Sequence, residues 1–260
     1  MIVDIFIPCF IDQLAPEIGF SMVKILEQLG CKVHYNTNQT CCGQPAYNAG
    51  YFKEAQTIAE KFLKDFQLNP QKEQEINGNH YNGNHYNENH YIVAPSASCI
   101  GMIRNSYENF FLSGANSSQY QLVQRSAFEF SEFLTDILEI NAIKGAKFPH
   151  KVVYHDACSA LRECGLSAAP RGLLRNVEGL ELVEMKDNTT CCGFGGTFAV
   201  KFQGISTGMA EQKVQNALDT DAEYIVSTDY SCLLHLEAFI NKNQKPIKVI
   251  HIADILASGW

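Results

Sequence analysis

The sequence predicts an α/β protein built from two copies of one unit, each with a mainly parallel sheet. Two observations carry that prediction. Short β-branched runs alternate with amphipathic stretches along the chain, which implies strands joined by helical crossovers. One cysteine framework also occurs twice. TCCGQP at Thr40 to Pro45 answers TCCGFG at Thr190 to Gly195, and YIVAPSASC ending at Cys99 answers YIVSTDYSC ending at Cys232.

Taken in order, the strands are expected at Val3 to Ile7, Lys32 to Tyr35, Tyr91 to Ala94, Lys151 to Tyr154, Leu180 to Val183, Tyr224 to Ser227 and Lys248 to Ile250. Helices fit between them. Pro16 to Leu29 sets Ile18, Met22, Ile25, Leu26 and Leu29 along one face, and Gly30 suits its C-terminal cap. Tyr51 to Phe66 and Ser206 to Leu218 follow the same pattern. A helical segment from about Gln119 to Ile140, with Lys144-Gly145-Ala146-Lys147 after it, is expected to join the halves. The division is then 1–145 for the first repeat and 146–260 for the second.

The two frameworks are C-x31-CC-x56-C and C-x32-CC-x39-C, which agree closely in the first interval and differ by 17 residues in the second. An insertion at about 70–89 accounts for it. NGNHY, NGNHY and NENHY run in tandem from Asn77 to Tyr91. Such a polar, low-complexity tract has little to pack and is expected as an exposed loop. Metal binding by His80, His85 and His90 is the alternative, with nothing else there to set a geometry.

The chain has 260 residues, 46% hydrophobic and 18% charged, enough apolar material for a large core. A net charge of -8 argues against nucleic acid or anionic lipid as partner. There is no basic leader and no apolar run of membrane-spanning length, so the expectation is a cytoplasmic protein. Ten cysteines in a reducing compartment point to metal or redox chemistry rather than to disulfides.

Each repeat offers four thiols from three loops: Cys9, Cys41, Cys42 and Cys99 in the first, and Cys158, Cys191, Cys192 and Cys232 in the second. Adjacent side chains in extended backbone point apart, so a vicinal pair can serve one site only if the chain kinks. Gly43 and Gly193 stand where a positive φ would allow that. A multi-iron cluster gives neighbouring sulfurs separate attachment points, which a single zinc ion does not, and no C-x2-C hook is present. Iron–sulfur is therefore preferred over zinc or thiol–disulfide chemistry. Cys31 and Cys164 lie outside the framework and read as small buried hydrophobes, Cys164 in a helix.

Other residues near the cysteines have plainer readings. His155-Asp156 is a strand-end pair that hydrogen-bonds the loop and tunes the centre, with proton transfer as the alternative. Arg104, Arg162 and Lys201 are candidates for an anionic carboxylate or for balancing cluster charge, although single basic residues are usually solvated. Gly193-Phe194-Gly195-Gly196 does not have dinucleotide-loop spacing and suits a turn around a cluster. No catalytic residue is identifiable.

The runs PCFIDQLAPEIG, CCGQPAYNAG, APSASCIGMIR, YHDACSALRECG, CCGFGGTFAVKF and HIADIL together resemble the lactate utilization protein A family, over nearly the whole chain apart from Pro70 to Asn89. More broadly they resemble the CCG domains found in heterodisulfide reductase and in the glycolate oxidase iron–sulfur subunit. The resemblance implies an iron–sulfur, electron-transfer subunit of an oxidoreductase complex that oxidises L-lactate to pyruvate, rather than a complete enzyme. It implies one [4Fe-4S] cluster per repeat, held by the eight framework cysteines. It also implies two partners, a ferredoxin-like subunit (lactate utilization protein B-like) and a lactate utilization protein C-like protein. In heterodisulfide reductase each CCG motif ends in CxxC around a non-cubane cluster. Here Met102 and His235 stand at that last position. A heterodisulfide reductase-like or glycolate oxidase-like subunit, or a zinc-stabilised scaffold, are the alternatives.

Overall fold

The structure, a computed structural model, describes residues 1–68 and 90–259. The proposed insertion, with His80 and His85, lies outside the described residues.

Two four-stranded sheets form, and every strand pairing in them is parallel. The first holds β1 (Ile2–Ile5), β2 (Lys32–Tyr35), β3 (His90–Ala94) and β4 (Ala127–Glu129) in the order β2-β1-β3-β4. The second holds β5 (Lys151–Tyr154), β6 (Glu181–Val183), β7 (Tyr224–Ser227) and β8 (Lys248–His251) in the order β6-β5-β7-β8. The two orders are the same, so the α/β duplication expected from the cysteine spacing is present in the backbone. In each sheet the order reverses between the first and third strands, and the loops at their carboxyl ends diverge to leave a crevice.

The two halves share one core. Period-two alternation sends Val3, Ile5 and Val93 from the first sheet and Val152, Tyr154 and Val226 from the second into a common apolar cluster. Ile92 and Ala94 face the first half's own helices, and Val153 and Ile225 face those of the second. The helix Pro16–Gln28 buries Ile18, Met22, Ile25 and Leu26 in the shared cluster. Its Ser21 hydroxyl donates to Asp254 at 2.7 Å, which ties it to the last helix, Ile252–Leu256.

The structure departs from the expected elements in a few places. The segment from Gln119 to Ile140 is not one helix. A helix at Ser117–Ser126 gives way to β4, whose Ala127, Phe128 and Glu129 pair with Ile92, Val93 and Ala94. Burial of Ala127 and Glu129 against the sheet outweighs local helix propensity there. The second half has the matching arrangement, β8 followed by Ile252–Leu256. Cys164 lies past the end of the helix Cys158–Arg162, not within it. His90, just past the insertion, opens β3 one residue before its expected start and bonds Asp4 at 3.0 Å.

Candidate metal centres

All eight framework cysteines line one cavity of about 490 Å³ at the carboxyl ends of both sheets. Each arrives there by the same local device in the two halves. Cys9 and Cys158 open short helices just after β1 and β5. Cys99 and Cys232 lie in the helices that follow β3 and β7. The vicinal pairs come from the loops after β2 and β6, where Gly43 has φ 85° and Gly193 has φ 96°. That is the kink the sequence requires of a CC pair. It turns Cys42 and Cys192, each 2% exposed, inward, and leaves Cys41 and Cys191 half-buried.

Within the first half, the sulfurs of Cys9 and Cys41 are 3.7 Å apart and those of Cys42 and Cys99 are 3.2 Å apart. In the second half Cys158 neighbours Cys191, and Cys192 neighbours Cys232. The backbone N–H of Gly43 donates to Cys41 at 3.3 Å and that of Gly193 to Cys191 at 3.4 Å. Bonds from Cys42 and then Cys9 hold the Cys41 thiol well below its ordinary value, at about 3. Donation to Cys41 and then burial push Cys9 up, and the bonds of Cys42 to Cys41 and Cys99 push that thiol up as well.

The donor set of each half is soft throughout, four sulfurs with one backbone N–H group aimed at them, and it fits an iron–sulfur cluster or another thiophilic ion. The cavity wall adds Ser96, Ser98, Asp229 and Ser231. The halves meet across it. Ser98 N–H donates to Asp229 at 2.9 Å, and Phe10 and Phe194 touch edge to face at 5.8 Å. Within the first half, Gln44 donates to the Ser98 carbonyl at 3.2 Å.

The remaining candidates lie elsewhere. Met102 is 1% exposed in the apolar cluster of the first half and begins a short π-helix, away from the cavity lining. His235 bonds the Ser206 hydroxyl at 3.2 Å, packs against Gly193, and is also absent from that lining. Arg104 forms a two-pronged pair with Glu132, at 3.0 and 2.6 Å, and so is committed to structure. Neither Arg162 nor Lys201 lines the cavity. Cys31 is buried in the shared core, and the Cys164 thiol donates to the Ala97 carbonyl at 3.4 Å.

His155 and Asp156 are buried and have different surroundings. Asp156 takes two hydrogen bonds of 2.7 Å from Arg171. Both ring nitrogens of His155 lack a protein hydrogen-bond partner, and its ligand atom lies with the sulfurs of Cys192 and Cys232 within a 4.8 Å group. Burial holds His155 far below its ordinary value, at about 3, so the ring is neutral. Sequence reading passed over Asp229 and Lys213. Asp229 could have been found from its place three residues before Cys232, where the first repeat has Ser96.

The model of the CCG cysteine-rich domain matches residues 3–104 and 152–237. Among curated relatives, "Lactate utilization protein A" of Exiguobacterium sp. is 39% identical over 257 residues, covering 99% of this chain and 97% of that protein. "Lactate utilization protein A 1" of Bacillus mycoides is 38% identical, covering 98% and 96%. Among solved structures, a hypothetical protein from Helicobacter pylori superposes with a TM-score of 0.63 at 10% identity. That alignment covers 99% of this chain but 48% of the other, so the chain spans about half the length of that protein, and the likeness concerns fold alone.

Proposed function

This chain belongs to the lactate utilization protein A family, with two CCG cysteine-rich domains, and from that premise we propose that it is an iron–sulfur electron-transfer subunit serving the oxidation of L-lactate to pyruvate. The observation that supports this most directly is the meeting of two four-thiol sets in one cavity. In this reading Cys9, Cys41, Cys42 and Cys99 hold one cluster, and Cys158, Cys191, Cys192 and Cys232 hold the other. A bound four-iron cluster supplies reversible one-electron storage. The chain's own part is to hold the sulfurs, to screen them from water behind buried Cys42, Cys99, Cys192 and Cys232, and to direct the Gly43 and Gly193 N–H groups at Cys41 and Cys191. The proposal includes the division at 145/146, a cytoplasmic location, and ferredoxin-like and lactate utilization protein C-like partners. No helix among the described residues is long and apolar enough to cross a membrane.

The test is anaerobic purification followed by iron and acid-labile sulfide assay and EPR of the reduced protein. Iron and sulfide in each half support the proposal, with signals lost separately in Cys42→Ser and Cys192→Ser. A colourless protein with stoichiometric zinc would sink it.

The shared cavity also favours a second reading. Both thiol sets face the same 490 Å³ space, within the usual range for a small-molecule site, so a small disulfide could contact both centres, as in a heterodisulfide reductase-like protein. Comparing lactate-dependent with disulfide-dependent electron transfer in the assembled complex separates the two readings.

A further inference from the structure

The two halves differ in what stands behind their thiols. Phe6 lies three residues before Cys9, and His155 three before Cys158, each just past the first strand of its sheet. A second correspondence comes from the helix after each CCG turn. A Cβ on Gly43 would touch Ala55 and Ile58, and one on Gly193 would meet Ser206 and Met209. Four residues beyond Ile58 is Phe62, and four beyond Met209 is Lys213.

In the first half, Phe6 and Phe62 touch edge to face at 5.0 Å, in the apolar cluster that also contains Cys42 and Cys99. The second half replaces this pair with His155 and Lys213, 0% and 1% exposed. The Lys213 ammonium donates to the carbonyls of Asp187, at 2.6 Å, and Asn188, at 3.0 Å, in the turn that leads to Cys191. His155 does not line the cavity, and lies close to the sulfurs of Cys192 and Cys232. In any protonation state at least one of its ring nitrogens carries a hydrogen, and the sulfurs of Cys192 and Cys232 lie within 4.8 Å of its ligand atom without a hydrogen bond to it in this structure.

We propose that the two centres are unequal electron acceptors: His155 and Lys213 give the second-half centre the higher reduction potential, and the Phe6–Phe62 pair leaves the first-half centre the lower. This rests on the iron–sulfur reading. Reduction adds negative charge to a cluster. A buried cation and a polar imidazole beside the ligand sulfurs stabilise that charge, and aromatic edges behind Cys42 and Cys99 offer much less. Nearby carboxylates act against this only in part. Asp156 is paired with Arg171, and the charge of Asp229, which bears on Cys158 and Cys232, is taken up by hydrogen bonds from the Ser98 N–H and the Ser231 hydroxyl. Electrons from an external donor therefore come to rest on the second-half centre, and transfer from first to second is downhill.

An EPR-monitored redox titration of the whole protein decides the order, with Cys42→Ser and Cys192→Ser used to assign the signals. The second-half centre should reduce first. Lys213→Met and His155→Phe should each move its reduced-to-oxidised ratio toward oxidised by about tenfold at fixed potential, roughly 59 mV for a one-electron couple. Lys213→Arg and His155→Gln should restore it, and the first-half centre should not move. Iron and sulfide are measured in every variant, because Lys213 also holds a turn. Equal potentials, a first-half centre that reduces first, or iron-replete variants with unmoved potentials would overturn the inference. Strong nitrogen hyperfine coupling from an iron-bound imidazole would overturn this role for His155. A wild-type protein without iron and sulfide would instead remove the iron–sulfur reading beneath it.

Discussion

Ser98 and Asp229 join the two halves at the cavity: the backbone N–H of Ser98, next to Cys99, donates to the Asp229 carboxylate at 2.9 Å. The bond ties the third-cysteine loop of the first repeat to that of the second. Asp229 is 2% exposed and also accepts from the Ser231 hydroxyl at 2.6 Å. Asp229→Ala leaves both donors without their acceptor and should cost about 1–3 kcal/mol. Asp229→Asn keeps an acceptor oxygen and should cost less. Urea denaturation measures both, and metal content per chain should fall in both halves for the alanine variant alone.

The CCG glycines should not be equally sensitive. Both have positive φ, so alanine at either costs about 1–2 kcal/mol in backbone strain. At Gly193 the added Cβ would also lie 2.6 Å from the Ser206 carbonyl oxygen, whereas at Gly43 the nearest atoms are 3.4 Å away. Gly193→Ala should therefore empty the second thiol set while Gly43→Ala leaves both sets able to bind. Metal stoichiometry reports the difference directly.

Glu129 predicts a pH dependence. Burial pushes its carboxyl up to about 8, against bonds from Ser131 and Glu132 that oppose the shift. A folded-state value above the unfolded one means that the folded protein binds the proton more tightly. The corresponding stability is fully present below about pH 4.5 and is lost as pH rises through about 8. The urea midpoint of the wild type should fall across that interval. Glu129→Gln should show a flatter profile and be the more stable of the two at pH 9.

Arg171 is held by Asp156 and Glu184, and its guanidinium lies 4.9 Å from the Tyr154 ring centroid. Asp156 is 1% exposed, so Arg171→Met strands a buried carboxylate and should cost roughly 3–5 kcal/mol. Glu184 is largely open to solvent, and Glu184→Gln should cost less than about 1 kcal/mol. Equal losses in the two variants would contradict this assignment.

Much of the fold was legible because periodicity and repetition are local properties of the chain. Seven of the strands stand within two residues of their expected ends, since β-branched runs bounded by turns have few alternatives. β4 was missed for a tertiary reason. Ala127-Phe128-Glu129 sits among helix formers, and only the edge of β3 makes a strand of it. The second repeat offered the one available clue, β8 before Ile252–Leu256.

By itself, the sequence determined that eight cysteines form two matching sets and that Gly43 and Gly193 must bend the chain beside them, because spacing and backbone sterics are written residue by residue. That the two sets share one cavity was decided only by tertiary structure. So was the placement of His155 beside one set, with Lys213 on the turn that leads to it, and of Phe6 and Phe62 behind the other. Those relations join residues far apart in the chain. They depend on how two sheets pack through a common core, and no local pattern encodes that packing.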